Sequence, residues 1–370
     1  MERGESPVYV WQRLDWPSWR YDIAAVSPSL AEVSRAQGTL LGRLADAGMA
    51  LRCEASLEAL ADDVVKTSAI EGETLDLQAV RSSLARRLGV KIAALTPSDR
   101  HIDGVVAMVL DATGKSEEPL TAERLWGWHA ALFPTGYAGF TRILVGNWRD
   151  GSSGPMQVVS GPQENRTVHY EAPEAACLAQ EMTTFLRWVA EDQSPSLIKS
   201  ALAHLWFVTV HPFEDGNGRI ARAIGDLVLA RADKTPQRFY SVSAQIQRER
   251  EAYYEILERT QKGDLDVTEW VLWFVDSVGR AVAQAMQTVD AVLAKSRFWQ
   301  RFPEAAPNER QKKLLLRLLD GFDGKLTATK WGKIAKCSPD TALRDINQLI
   351  AWGMLHKSEA GGRSTSYELA

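Results

Sequence analysis

The chain has 370 residues, 45% of them hydrophobic and 24% charged, with a formal net charge of −4. That length accommodates two or three domains with cores of their own, and the weak negative charge excludes wholesale coating of nucleic acid while leaving local basic patches open. The three cysteines, Cys53, Cys177 and Cys337, stand alone with no CxxC pair and no spacing that suggests a disulfide framework or a zinc site.

The opening stretch lacks the apolar region of a signal peptide, and no window reaches the roughly 18 apolar residues of a membrane span. The expectation is a cytoplasmic protein without a membrane partner. Trp11, Trp16 and Trp19 mark a small accessory layer, with Pro17 and Pro28 set between two helical patterns. Over 51–70, Leu57, Leu60, Ala61, Val64, Val65 and Ile70 recur at helical spacing, and Gly72 is placed to end that helix. Helix is predicted again up to Gly114. A hinge at 116–119 precedes an amphipathic helix carrying Leu125, Trp126, Trp128, His129 and Leu132. Between 143 and 173, glycines, prolines and β-prone pieces such as Gln157-Val158-Val159 predict the only hairpin of the central region.

Helical periodicity returns over 174–190 and 197–210, and again in a helix carrying Ile220, Ala223, Ile224, Leu227 and Val228, with further helices to about residue 297. Beyond Phe302-Pro303 three short helices are predicted, over 311–319, 331–336 and 339–352, the last stopped by Gly353. The tail then alternates like a two-stranded wing around Gly361-Gly362. In the helix over 339–352, Thr341, Arg344, Asp345 and Gln348 are assigned to the exposed face. Ala342, Leu343, Ile346, Leu349 and Ile350 are assigned to the interior.

The chemistry concentrates in His211-Pro212-Phe213-Glu214-Asp215-Gly216-Asn217-Gly218-Arg219-Ile220-Ala221-Arg222, which joins two apolar helices. Gly216 and Gly218 permit close backbone approach. The N-terminus of the following helix offers unpaired N–H groups and a positive dipole end to phosphate. Arg219 and Arg222 are three apart, share a helix face and present forked donors to one polyphosphate. Asp215 suits a hard cation bridging phosphate oxygens, and His211 is the group in the loop that accepts a proton near neutrality. This is a set of parts for nucleotidyl transfer. The segment Gly216 to Ala221 also fits the dinucleotide pattern GxGxxA, but helix precedes it where that motif needs a strand. His211 and Asp215 alone lack companions for a metal cage.

The segment matches HxFx(D/E)GNGRxxR at every defined position and resembles the signature of the Fic family. The resemblance implies a mainly α fold, with a Fic-type helical core and a β-hairpin flap. It implies ATP and Mg²⁺, with His211 as general base and Asp215 as metal ligand. Gly216, Asn217, Gly218 and Arg219 would cradle the α- and β-phosphates and Arg222 the γ-phosphate, while Phe213 anchors the loop. Val158, Val159, Ser160 and Gly161 fall where the family's flap holds its target as an added strand. Tyr253 and Tyr254 stand where a Tyr pair meets adenine, or are core residues. Gln261 replaces a common Asn at the base. The stretch from Thr67 to Gly72 fits the family's inhibitory pattern (S/T)xxxE(G/N), which implies that Glu71 pairs with Arg222 and blocks the γ-phosphate seat, as in class II Fic proteins. The first eighty residues resemble the N-terminal region of one branch of bacterial Fic proteins.

The resulting division is 1–115, an N-terminal helical region with the inhibitory helix; 116–300, the Fic catalytic domain; and 301–370, which resembles a winged helix-turn-helix. The expected activity is transfer of AMP from ATP to a Ser, Thr or Tyr hydroxyl of a protein, the chain itself included. Removal of AMP, transfer of another phosphate-containing group, and a nucleotide-sensing DNA-binding regulator stand as alternatives. DNA through the winged helix and a homodimer remain open as partners.

Overall fold

The computed structural model describes residues 9–45, 48–90, 95–152, 154–161, 166–319, 322, 324–358 and 365–370. The chain divides into two compact units, Met1–Ala285 and Met286–Ala370. It is mainly helical, and the described strands pair only as three two-stranded antiparallel hairpins.

The first unit opens with a short 3₁₀ turn at Val10–Gln12 and then α1 (Ile23–Ala45). Pro28 lies inside α1 rather than between helices as its sequence suggested. It forfeits a single bond near the helix start, and a buried stripe of Val26, Val33, Leu40 and Leu44 holds the helix through it. Helix α2 (Met49–Ile70) ends at Glu71, and Gly72 follows at φ 85°, a left-handed conformation suited to glycine. Helices α3 (Leu77–Leu88) and α4 (Arg100–Gly114) are capped by Asp76 and Asp99, whose carboxylates accept from Ala79 N and Ile102 N. Thr121 caps α5 (Ala122–Leu132) in the same way.

Two hairpins follow where one was expected. Beside the flap strands β3 (Gln157–Ser160) and β4 (Thr167–Glu171) lies a two-residue pair, β1 (Tyr137–Ala138) with β2 (Thr141–Arg142). Gly139 and Phe140 form its turn, and two residues per strand leave no apolar alternation to detect. Helices α6 (Leu178–Glu191), α7 (Ser196–Val210) and α8 (Asn217–Asp233) come next. From Leu197 to Val210, α7 is buried at every residue except Lys199, which makes it the central helix of the unit, and α8 packs along it. Helices α9 (Val242–Arg248) and α10 (Arg250–Gln261) follow, and α11 (Thr268–Gln300) begins in this unit and ends in the second.

The N-terminal residues strap across this unit. Trp11 Nε1 donates to Glu171 O at 2.8 Å, and both Arg13 Nε and Nη2 donate to Gly263 O. Trp16 and Trp19 pack edge-on against each other and against buried Trp206 of α7.

The second unit contains α12 (Glu309–Leu319), α13 (Ala328–Ala335), α14 (Pro339–Ala351) and a hairpin of β5 (Leu355–Lys357) with β6 (Tyr367–Leu369). Its core gathers Phe298, Leu314, Leu315, Trp331, Ile346, Leu349 and Met354. Gly361 and Gly362, expected at the turn of the wing, lie outside the described residues. Two assignments on α14 are reversed. Asp345 is buried, accepting from Arg310 Nε and Nη2 at 3.3 Å, whereas Leu343 is 44% exposed. The ion pair with Arg310 compensates the burial of the carboxylate, and helical spacing alone cannot anticipate a partner from another helix.

Candidate active site

The loop between α7 and α8 is built by a sharp reversal. His211 ends α7 in the left-handed region at φ 50°, and Pro212 cannot continue the helix. Arg149 secures that turn: its backbone N donates to Pro212 O and its Nε to His211 O, each at 2.9 Å, while Nη2 reaches Pro173 O at 2.5 Å. The loop is thereby tied to the base of the flap. Asn217 closes the loop on itself, accepting from Phe213 N through Oδ1 at 3.0 Å and donating through Nδ2 to Phe213 O at 2.8 Å. Phe213 is fully buried, stacked on His129 with centroids 4.1 Å apart.

Gly216 caps α8 at φ 80°, and a side chain there would run into Phe133. At Gly218 a Cβ would collide with the Glu71 carboxylate and come within 3.3 Å of Arg222 Nη1. The bare edge of Gly218 at the α8 N-terminus is therefore a seat for an anion, and a carboxylate fills it. Glu71 Oε1 accepts from Arg222 Nη2 at 2.6 Å. Thr67, one turn back on α2, accepts from the same guanidinium: Nε donates to Thr67 Oγ1 at 2.8 Å and Nη2 to Thr67 O at 2.9 Å. Burial disfavours the charge on Arg222, but the adjacent Glu71 carboxylate more than offsets it and holds the guanidinium above its usual range.

Arg219 is held by a carboxylate that its sequence had not identified. Its Nη1 donates to Glu73 Oε2 at 2.8 Å, and Glu73 also meets His101 Nε2 at 3.1 Å. Desolvation works against the charge of Glu73, but His101 and Arg219 together lower its pKa; the hydrogen bond to Glu73 raises that of His101. The signal for Glu73 was its place two residues past Glu71, at the same helix end. Two donors, Arg219 Nε and Arg222 Nη1, are buried without a hydrogen-bond partner, in keeping with a site shaped for an additional anion.

His211 Nδ1 lies 3.2 Å from Val208 O, which fixes the proton on Nδ1 and leaves Nε2 as the basic nitrogen. Burial lowers the pKa of His211 to about 4, so the ring is neutral at pH 7. The Asp215 side chain is half exposed, with Oδ1 accepting from Gly216 N at 2.5 Å and 3.9 Å from Arg219 Nη2. Among the described residues no group of three His, Cys, Asp or Glu side chains forms a metal cage. The single half-exposed carboxylate of Asp215 is an oxygen donor of the kind a hard cation such as Mg²⁺ takes.

The two tyrosines part company. Tyr253 is a core residue, 2% exposed, with its hydroxyl 2.9 Å from His204 Nε2 and its ring against Trp270 and Trp273. Tyr254 is 37% exposed and donates to Ile70 O at 3.3 Å. Gln261 is buried and donates to Thr209 Oγ1 at 3.3 Å. The structure thus brings together His211, Asp215, Gly216, Asn217, Gly218, Arg219, Arg222 and Glu71, and it commits Tyr253 and Gln261 to internal contacts. Val158, Val159, Ser160 and Gly161 all lie exposed at the flap hairpin.

Comparison with known proteins agrees with this geometry. Residues 9–90 match a domain of unknown function (DUF4172), and residues 119–229 match the Fic/DOC family. The chain is 27% identical over 268 residues to the protein adenylyltransferase Fic of Drosophila grimshawi, covering 67% of this chain and 50% of that protein. It is 25% identical over 307 residues to the protein of the same name from Drosophila melanogaster, covering 77% and 56%. The chain spans about half the length of these curated relatives. In fold it is similar to a Fic family protein from Desulfovibrio desulfuricans G20, with TM-score 0.56, 20% identity and coverage of 93% and 96%. A Fic domain containing signaling protein from Bacteroides thetaiotaomicron aligns with TM-score 0.52 at 17% identity, covering 71% and 97%. No helix among the described residues is long and apolar enough to cross a membrane. The loop from His211 to Arg222 thus lies in a Fic/DOC-family domain, in a chain homologous at modest identity to Fic adenylyltransferases.

Proposed function

We propose that the protein is an adenylyltransferase that moves AMP from ATP to a hydroxyl side chain of a protein and is restrained by its own Glu71. The observation that carries this reading is the Glu71 carboxylate seated on Gly218 and bonded to Arg222 at 2.6 Å, in the loop that also holds a neutral, oriented His211. An anion seat already filled by an internal anion is what a self-restrained polyphosphate site requires.

In the reaction, Nε2 of His211 takes the proton of the acceptor hydroxyl as its oxygen bonds to the α-phosphorus. The bond from that phosphorus to the α,β-bridging oxygen breaks, and pyrophosphate leaves. Arg219, Arg222 and the N–H groups opening α8 hold the phosphates and the developing charge. Asp215 would hold Mg²⁺, which when bound supplies further charge neutralisation on the phosphate oxygens. Glu71 in its present place keeps the γ-phosphate from Arg222, so ATP cannot lie with its α-phosphorus in line. Tyr254, at the rim, remains a surface for the adenine ring, whereas Tyr253 and Gln261 act from behind it. The exposed flap strands offer an acceptor segment an edge to pair with.

We carry the division into 1–115, 116–300 and 301–370 forward as part of this reading, the last segment as a winged helix-turn-helix presenting Thr341, Arg344 and Gln348. The test is incubation of wild type, Glu71→Gly and Glu71→Gly/His211→Ala with α-labelled ATP and Mg²⁺. Label on protein only with Glu71→Gly supports the reading. ATP binding with no label in any sample overturns AMP transfer in favour of the alternative chemistries.

A further inference from the structure

Arg250, Tyr254 and Glu258 follow one another at intervals of four on α10 and so line one face of it. Arg250 Nε donates to Ile70 O at 2.9 Å, and the Tyr254 hydroxyl donates to the same carbonyl. Ile70 is the residue before Glu71. One turn further along, Glu258 Oε2 accepts from His169 Nδ1 at 2.8 Å, and Lys262 holds Oε1 at 2.5 Å. His169 Nε2 in turn meets Ser160 Oγ at 2.6 Å. The stripe therefore touches the end of α2 at one end and, at the other, His169 of β4, which in turn holds Ser160 of β3.

The register of the hairpin accounts for the reach of His169. Val158 pairs with Tyr170 and Val159 with Val168, which leaves His169 as the extra residue of a β-bulge. A bulged residue leaves the ladder and its side chain is re-aimed, here toward α10. A two-stranded hairpin is marginal by itself in water, so the set of this one over the site must come from contacts outside it. All four residues of β3 are exposed. The flap is fixed at its base by Tyr170, whose hydroxyl donates to Thr209 O at 2.7 Å, and toward its outer part by His169.

We infer that His169 is a positioning residue for the acceptor polypeptide, clasping the flap to α10 through Glu258, and that the 250/254/258 face carries the flap's position to the end of α2. This rests on the reading of the hairpin as the surface that receives the acceptor. A polypeptide that shifts the flap then loosens the grip on Ile70 O and with it the hold of Glu71 on Arg222.

Hydrogen exchange measured by mass spectrometry on the full chain tests this without turnover. His169→Ala and Glu258→Ala are expected to speed exchange about tenfold over 157–160 and 167–171, and about threefold over 68–73, the scale of one or two lost hydrogen bonds. His169→Gln, which keeps a donor for Glu258 and an acceptor for Ser160, restores both segments. Thr167→Ala, on the same hairpin without the α10 contact, leaves 68–73 unchanged. In a Glu71→Gly background, His169→Ala raises the half-saturating concentration of acceptor about fivefold with kcat within about twofold. The acceptor in that assay is the Glu71→Gly/His211→Ala chain. Unchanged flap exchange in His169→Ala overturns the clasp, and a faster flap with 68–73 unchanged overturns the coupling. Faster exchange at both segments with no label from Glu71→Gly supports the clasp and counts against AMP transfer alone.

Discussion

Glu73 Oε2 lies 2.8 Å from Arg219 Nη1, two residues beyond the carboxylate that meets Arg222. The end of α2 therefore neutralises both arginines of the loop, each with its own acid. Both arginines are buried, so removing an acid leaves a buried charge in search of a partner. On the proposed reading a polyphosphate is such a partner, which would link stability to nucleotide binding.

Glu71→Gly is expected to raise label transfer from ATP about 100-fold over wild type, the equivalent of the roughly 3 kcal/mol associated with breaking a buried pair. Thr67→Ala, which removes one hydroxyl from Arg222, is expected to raise it about fivefold, near the 1 kcal/mol of a single hydrogen bond. Initial rates with α-labelled ATP measure both. Equal rates in Thr67→Ala and wild type would remove Thr67 from the latch.

Glu73→Ala is expected to lower the unfolding free energy by about 1–2 kcal/mol, a discounted figure because the Glu73 side chain is 37% exposed. Saturating ATP with Mg²⁺ should recover most of that loss in the Glu71→Gly/Glu73→Ala protein. Urea titrations with and without nucleotide decide it, and a loss that nucleotide leaves untouched would show that Arg219 does not hold phosphate.

On the proposed reading, the acid limb of activity is expected to follow His211. Its pKa is depressed to about 4 by burial, so the ring stays a competent base down to that pH and is lost as a base only below it. In the Glu71→Gly background the limb of kcat/KM should fall near pH 4. Removal of the nearby carboxylate moves it no higher, because Glu71 raises the pKa of His211. A limb near 6.5 would place the base elsewhere.

His204 is 1% exposed, and its pKa is depressed to about 3 by desolvation. A neutral buried histidine contributes stability that is complete above its unfolded pKa near 6.5 and lost as pH falls toward 3. Between pH 7.5 and pH 5 the wild type should lose about 2 kcal/mol more than His204→Asn. Comparing the two proteins cancels the other titrating groups, and parallel stability curves would refute the assignment.

In the second unit, Asp345→Ala is expected to lower stability measurably, because the buried carboxylate holds Asn308 and Arg310 against α14. Leu343→Ala should stay within about 0.5 kcal/mol. Chemical denaturation of the full chain checks the order, which is the reverse of that implied by an inward Leu343.

The sequence by itself determined the helical character of the chain, the loop from His211 to Arg222, and the acid at the end of α2. Each of these is local: a 3.6-residue period, a glycine beside an arginine, a carboxylate one residue before a helix-stopping glycine. Tertiary structure alone decided that Glu73 meets Arg219, because that depends on where the chain beyond α2 lies against α8, whereas the pairing of Glu71 with Arg222 was already implied by the resemblance. It also decided that Tyr253 faces the core and Tyr254 the rim, a choice one residue apart that rests on the packing of His204, Trp270 and Trp273. The β-bulge at His169 and the burial of Asp345 belong to the same class. Each depends on a partner distant in sequence, Glu258 for one and Arg310 for the other, and a pattern read along one helix or strand carries no information about the charge that arrives from another.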